Sequence, residues 1–328
     1  MKYIQQKTGK SGSVFNDSLF RCRNGEWIGM NTQVEKLAFL ISAYTEPRSL
    51  RALVLKLNEM FDADFFIHID KKVEIEPFQI DLLNMPNVFF IKDRVRVYWG
   101  GYSQVEMQKA MIREMLQRNI HYMRVISLTG TDYPVVKAET ILEKMEKKEI
   151  EYIIGFDVDH EINPGKRKMS LKYSCFYLMD THRFIRAALI RLRIPRFYYK
   201  KMKMPIYHGS EYWALTYECI SELYHNYLKD EQLQKLLRYS FVPSEAWIHT
   251  MFFNSKWKDR AVQPLKNENP DLIRLSPITY FNYTSSIKIL DESDYQDIMK
   301  SGRLFARKIL TGKSDGLISM LADHERNS

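Results

Sequence analysis

Lys36-Leu37-Ala38-Phe39-Leu40-Ile41-Ser42-Ala43 is a continuous apolar run of strand length. Such a run suits a parallel strand covered on both faces, because a half-exposed strand would alternate apolar with polar residues. Pro47 then opens a helix-like stretch, Ser49 to Phe61, with Leu50, Leu53, Val54 and Leu57 on one face. The alternation continues outward. Phe65 to Ile69 predicts a second buried strand, Val88 to Ile91 a third, Ser103 to Gln117 an amphipathic helix and Met123 to Leu128 a fourth strand. Residues 139–149 predict a helix and Tyr152 to Phe156 a further strand. This order defines an α/β fold, a mostly parallel central sheet flanked by helices. Beyond it, residues 181–204 are rich in Arg, Lys, Phe and Tyr and are interrupted by Pro195. Ala214 to Leu228 and Asp230 to Leu237 predict helices. So does Ser244 to Phe253, whose first turn holds Glu245, where the helix dipole favours an acid.

The chain has 328 residues, room for one large α/β domain or two small ones. No apolar run reaches the ~18–20 residues that span a bilayer. Met1 to Asn31 has no apolar core of the kind a secretory signal needs. Residues 1–32 are expected to be a tail, with Met30 a candidate start, and 311–328 a second tail, which leaves one domain over 33–310. Cys22, Cys175 and Cys219 are widely spaced and odd in number, which fits reduced thiols in a cytoplasm. Lys and Arg exceed Asp and Glu by 49 − 40 = 9. There is no zinc-ligand spacing, helix-turn-helix pattern or aromatic RNA-binding signature, so nucleic acid is not expected. A nucleotide diphosphate and an anionic membrane surface are the expected partners of the positive charge.

Parallel sheets bind ligands at the carboxyl ends of their strands. Here four strands end in Ala43-Tyr44-Thr45, in Asp70-Lys71-Lys72, in the loop carrying Arg94, Arg96 and Trp99-Gly100-Gly101, and in Thr129-Gly130-Thr131-Asp132. Asp70 can accept from base or ribose donors, or be a carboxylate on a surface turn. Gly100 and Gly101 permit close backbone approach or positive φ, Ser103 suits a helix N-cap, and Trp99 suits a pocket border or the core. Asp132 with two hydroxyls makes a poor magnesium or manganese site. Asp157-Val158-Asp159-His160 is a rival metal motif, though a loop role or acceptor contact is the favoured reading. The basic, aromatic stretch from Arg183 to Lys203 suits an anionic membrane surface or an ordinary solvated face.

Six strings stand in a telling order: Ile67-His68-Ile69-Asp70-Lys71-Lys72, Trp99-Gly100-Gly101-Tyr102-Ser103, Leu128-Thr129-Gly130-Thr131-Asp132-Tyr133-Pro134, His208-Gly209-Ser210-Glu211-Tyr212-Trp213, Val242-Pro243-Ser244-Glu245-Ala246-Trp247 and Leu304-Phe305-Ala306-Arg307-Lys308. Together they resemble the core-2/I-branching β-1,6-N-acetylglucosaminyltransferase family, which includes protein O-xylosyltransferases and bacterial enzymes of surface-polysaccharide synthesis. The resemblance runs from about Leu37 to Lys308. It implies a GT-A-like fold and inverting transfer from a UDP-sugar to a glycan or lipid-linked glycan hydroxyl. UDP-GlcNAc is the first candidate donor and UDP-xylose the alternative. It also implies no metal and no other cofactor, the diphosphate being neutralised by basic side chains.

By that resemblance Asp70 lies in the uridine pocket, and Trp99 and Gly100 border the donor beside Asp132. Lys308 meets the diphosphate with Arg307, and Lys288 is a second candidate cation. Glu245 is the catalytic base, since inverting displacement needs one carboxylate to take the acceptor proton and positive charge on the leaving group. Glu211, Tyr212 and Trp213 are acceptor-side candidates, a carboxylate for hydroxyls and aromatic faces for C–H surface. The missing leader and disulfides depart from the animal members and fit a bacterial-type enzyme. The chain is then expected in the cytoplasm, reaching the inner face of the membrane through Arg183 to Lys203 and leaving it at high salt. Two other readings stand beside this: a non-catalytic carbohydrate-binding protein, which would need neither Glu245 nor Lys308, and a metal-dependent transferase using Asp157 and Asp159.

Overall fold

The computed structural model describes residues 36–160, 169–181, 183–263, 272–283 and 286–327. The expected N-terminal tail, with Cys22 and Met30, lies outside the described residues. The strands, in chain order, are β1 (Leu37–Ala43), β2 (Ala63–Ile69), β3 (Val88–Phe90), β4 (Arg124–Thr129), β5 (Asp132–Pro134), β6 (Gly155–Asp157), β7 (Tyr207–Gly209), β8 (Ala214–Leu215), β9 (Thr279–Phe281) and β10 (Phe305–Arg307). The central sheet runs β3-β2-β1-β4-β8. Its first four strands are parallel and β8 closes the edge antiparallel. This is the mostly parallel, helix-flanked sheet that the strand-helix alternation predicts.

The apolar run of β1 is explained by two covers. Leu37, Phe39 and Ile41 face one core with Phe65, Ile67, Ile126 and Leu128, under the helix Pro47–Met60. Ala38 and Leu40 face the other with Phe66 and Val125, under the helices Ser103–Leu116, Tyr217–Lys229 and Trp247–Phe253. Successive side chains point to opposite faces, so a strand between two helical layers must be apolar throughout. Each fully buried Leu or Phe contributes about 1.5–3 kcal/mol.

Smaller sheets complete the frame. β10 lies between β5 and β9, antiparallel to the first and parallel to the second. β6 pairs antiparallel with β7. Three local expectations change. Ala214 and Leu215 form the edge strand β8, and the helix starts after Thr216, whose hydroxyl accepts from Cys219 N. The stretch Ser244 to Phe253 is broken: Pro243–Glu245 is a 3₁₀ turn, Ala246 leaves helical geometry, and the α-helix is Trp247–Phe253. Glu245 therefore sits before that helix, not in its first turn. The expected tail 311–328 carries the helix Asp315–Asn327, and Leu317 and Leu321 pack with Val135, Leu290 and Ile298. A four-residue apolar spacing there seats one helix face on the body.

Candidate active site

The site gathers where β4 ends. After Thr129 the chain turns back as β5, and Asp132 closes the turn. Its Oδ2 accepts from Thr129 N at 2.5 Å and from Thr129 Oγ1 at 3.0 Å. Its Oδ1 is buried with no partner among the described residues. Burial raises the carboxyl to about 6, against the pull of Arg307 and the Thr129 bonds. Arg307 is the register partner of Asp132 across β5 and β10. Its guanidinium donates to the Tyr212 hydroxyl and lies 5.7 Å from that ring's centre. Lys308 follows. Burial, and after it the neighbouring Arg307, holds its ammonium below the usual lysine range. Its side chain makes no ion pair among the described residues, which leaves a cation available to an incoming anion.

Glu245 stands on the turn Pro243–Glu245. Val242 before it has φ 54° and ψ 53°, a left-handed conformation costly for a β-branched residue. The bond Val242 N to Gly100 O, 2.9 Å, holds it there. Glu245 Oε2 lies 3.2 Å from His208 Nε2 and 3.8 Å from Lys172 Nζ, with one fifth of the side chain exposed. His208 is buried, and its Nδ1 meets the Tyr173 hydroxyl at 2.6 Å. Burial, aided by Lys172 and His249, keeps the imidazole well below its ordinary pKa and hence neutral. His208 Nε2 approaches Glu245 without forming an aligned hydrogen bond. The carboxylate is thus half-buried, with a cation and a neutral imidazole beside it. Burial pushes it up to about 7; Lys172 draws it down and Glu211 pushes it further up.

Glu211 is the second carboxylate. Burial raises it, while the nearby Ser244 hydroxyl and Arg307 draw it down. Ser244 Oγ itself completes no hydrogen bond of good geometry. Gln104 donates from Nε2 to Glu211 Oε1 at 3.3 Å and accepts from Gly100 N at 2.6 Å. One side chain thereby ties the Trp99-Gly100 loop to the acid pair. Gly100 has φ 75°, and a Cβ on Gly101 would stand 2.0 Å from Asp180 Oδ1. Asp180 needs that space to accept from Ser103 N at 3.1 Å and Ser103 Oγ at 2.5 Å, which anchors the start of the helix. A small hollow of mixed lining brings Ser42, Gln108, Ser127 and Thr129, with Met107, Met111 and Leu128, to Glu211 and Tyr212.

The remaining sequence candidates fall in several places. Asp70 closes β2; its Oδ1 accepts from Lys72 N at 2.9 Å and Val97 N at 3.3 Å, and its Oδ2 pairs with Lys72 Nζ at 3.2 Å. Its lysine-flanked turn therefore braces the loop that leads to Gly100. Trp99 is 70% exposed and sits edge-on to Phe241 at 5.3 Å, so it is not core. Trp213 is core. Tyr212 is buried but keeps its hydroxyl on Arg307. Lys288 is turned to Asp294 at 2.7 Å and Asp291 at 3.5 Å, acids that cap a neighbouring turn; only its backbone joins Lys308, through Lys308 N to Lys288 O at 3.2 Å. Asp157 accepts from Asp159 N at 2.9 Å and pairs with His160 at 2.8 Å, while Asp159 accepts from the Tyr199 hydroxyl at 2.8 Å. Among the described residues no group of three or more His, Cys, Asp or Glu is placed to hold a metal ion.

Lys172, Tyr173 and Gln104 were not singled out by sequence. Lys172 and Tyr173 lie on the four-residue helix Leu171–Ser174, which carries no periodic or motif signal. His208 stood in a quoted string without a role. Its place beside Glu245 depends on the pairing of β7 with β6.

A model of the Core-2/I-Branching enzyme family matches residues 37–266, and the chain belongs to that family. It is 24% identical over 233 residues to xylosyltransferase oxt of Drosophila melanogaster, which is 69% of this chain and 25% of the relative. It is 22% identical over 305 residues to mouse beta-1,3-galactosyl-O-glycosyl-glycoprotein beta-1,6-N-acetylglucosaminyltransferase 3, covering 85% of this chain and 64% of the relative. The chain thus spans only about a quarter of the fly xylosyltransferase's length. A crystal structure of S. aureus TarS 1-349 overlaps 63% of this chain and 56% of that one, with TM-score 0.32 and 10% identity, too slight a likeness to bear on the fold.

Proposed function

We propose that this chain is an inverting, metal-independent glycosyltransferase. It moves a sugar from a UDP-sugar to a hydroxyl of a glycan or lipid-linked glycan in surface-polysaccharide or glycoconjugate synthesis, from the cytoplasmic side. The observation that carries the reading is Glu245: a carboxyl that burial pushes up to about 7, beside a neutral histidine and a second acid, Glu211, which in turn feels Arg307. A general base works best when its pKa lies near the working pH. Glu245 takes the proton of the acceptor hydroxyl as that oxygen bonds to the anomeric carbon. The bond from that carbon to the diphosphate oxygen breaks, and its electron pair leaves with UDP. Lys308 and Arg307 meet the charge that develops there, where low dielectric strengthens their effect. Glu211 and the Tyr212 edge orient the acceptor, and Asp70 and the Trp99-Gly100 loop border the nucleoside.

GlcNAc is the donor sugar put first. Xylose is the alternative, because the names of the relatives divide between the two. The test is a panel of UDP-sugars with glycan acceptors, scored by UDP release with and without EDTA. Turnover that survives chelation supports the reading. Turnover abolished by EDTA and restored by manganese would move the diphosphate to Asp157 and Asp159. Binding of sugar without release of UDP from any donor would favour a carbohydrate-binding protein.

A further inference from the structure

The helix Arg183–Leu192 and the segment that follows it place several large apolar residues on the outside. Ile190 packs inward against Cys175, Tyr177 and Met179. Phe184, Ile185 and Leu192 face outward, as do Ile194 and Phe197 beyond the helix; Phe197 is 80% exposed and Leu192 66%. Ala187 and Ala188 are exposed between them. Single exposed apolar residues are ordinary, whereas a contiguous set marks a binding face. The charge on this segment is equally one-sided. Residues 181–210 contain eight Lys and Arg and no Asp or Glu. Arg191, Arg193, Lys200, Lys201 and Lys203 are exposed around the apolar residues.

We infer that this face docks on an anionic bilayer. An ordinary solvated face would not present Phe197 and Leu192 to water. An acidic soluble partner would answer the charges but not by itself the apolar tips. An anionic bilayer answers both: headgroup phosphates meet the Arg and Lys, and the interfacial hydrocarbon receives the apolar side chains. The apolar component changes the expectation from composition alone. Salt screens the Coulomb attraction but leaves apolar insertion in place, so part of the binding survives high salt. Arg196 sets the geometry. Unlike its basic neighbours it is buried, donating to Leu236 O at 2.7 Å, to Ser240 Oγ at 2.9 Å and to Tyr173 O. Tyr173 in turn holds His208 beside Glu245. The docking face is therefore tied to the catalytic end, and a membrane-borne acceptor would lie near Glu245; that last clause rests on the proposed function, while the docking does not.

The experiment is co-sedimentation of the full chain with phosphatidylglycerol–phosphatidylcholine vesicles and with pure phosphatidylcholine vesicles, at low and high salt. Two variants are compared: Leu192→Ser with Phe197→Ser, and Arg191, Arg193, Lys200 and Lys201 each →Gln. Circular dichroism and the melting temperature serve as fold controls, since all six positions are exposed. Wild type should bind the anionic vesicles and keep a measurable fraction bound at high salt. The charge variant should lose at least about a hundredfold at low salt, four charges at about 1 kcal/mol each setting the scale. The apolar variant should lose the salt-resistant fraction. No binding by wild type, equal binding by both folded variants, or a dimer that only the apolar variant breaks while vesicle binding persists would overturn the inference. Vesicle binding is read without turnover, so its failure is distinct from failure of the proposed reaction.

Discussion

Two carboxylates of this molecule, one enclosed and one half-buried, are built to opposite ends. Glu151 is fully enclosed and fully answered. Its Oε2 accepts from Arg124 Nη1 at 3.3 Å and Thr216 N at 2.8 Å, and its Oε1 accepts from Thr216 Oγ1 at 2.5 Å. Arg124 spends its other donors on the carbonyls of Met145, Lys147 and Ile150. Glu245 keeps one fifth of its side chain exposed, and among the described residues its neighbours are a cation at 3.8 Å and a neutral, poorly aligned imidazole at 3.2 Å. Burial raises both acids. Satisfied hydrogen bonds make one a structural member; their lack leaves the other eager for a proton. A buried charge therefore does not by itself mark a site, whereas an incompletely partnered one beside a second acid does.

The largest effect should come from Glu245→Gln, which keeps shape and removes the proton acceptor. UDP-sugar turnover should fall roughly 10²- to 10⁴-fold with UDP binding retained. Wild-type turnover should climb as pH rises through about 7, because the base works ionised. Near-normal turnover in the variant would end the contrast, since Glu245 would then be one more structural acid.

Glu151→Ala should act on stability instead. It leaves Arg124 buried and unpaired, at a cost of about 3–5 kcal/mol in urea unfolding. A loss below about 1 kcal/mol would mean that the pair is not the anchor its geometry suggests.

The stability effect of Glu245→Gln should have the opposite sign. The folded carboxyl sits near 7 against an ordinary 4.5, so the fold prefers its protonated form. That stabilisation is complete below about 4.5 and is lost as pH rises to about 7, a change of about 3 kcal/mol. Gln cannot ionise, so the variant should melt above wild type at about pH 8 and near it at about pH 4. Parallel melting curves across that range would refute the raised carboxyl.

The smallest effect concerns the cation. Lys308→Ala should weaken UDP about tenfold or more and leave uridine nearly unchanged, because only UDP carries the diphosphate. Calorimetric titration of both ligands decides it, and equal weakening would indicate a disturbed fold at the β10 end.

Local chemistry made the frame legible. The unbroken apolar β1, the alternation of strand and helix and the glycine pair before Ser103 follow from one rule each; the first four strands shift by a residue or two, while the helix expected over 139–149 ends at Met145 and the strand expected from Tyr152 begins at Gly155. Glu245, Asp132, Arg307 and Lys308 stood out because their strings resemble the family's motifs, and because inverting displacement needs a base and cations. Charge alone could not say which partners they have. Lys288 reads from sequence like Lys308, yet Asp291 and Asp294 engage it. Residues 311–328 read as a tail because few apolar residues, Leu317, Ile318 and Leu321, carry their helix to the body. Lys172, Tyr173 and His208 lie 73, 72 and 37 residues before Glu245 in the chain. The pairing of β6 with β7, the bond from Phe241 N to Lys172 O at 2.8 Å and the left-handed Val242 bring them to it. Sequence by itself determined which segments must be buried, because burial follows residue type and period. Tertiary structure alone decided which buried charges are satisfied, because desolvation and hydrogen-bond geometry depend on neighbours that the chain supplies from far away.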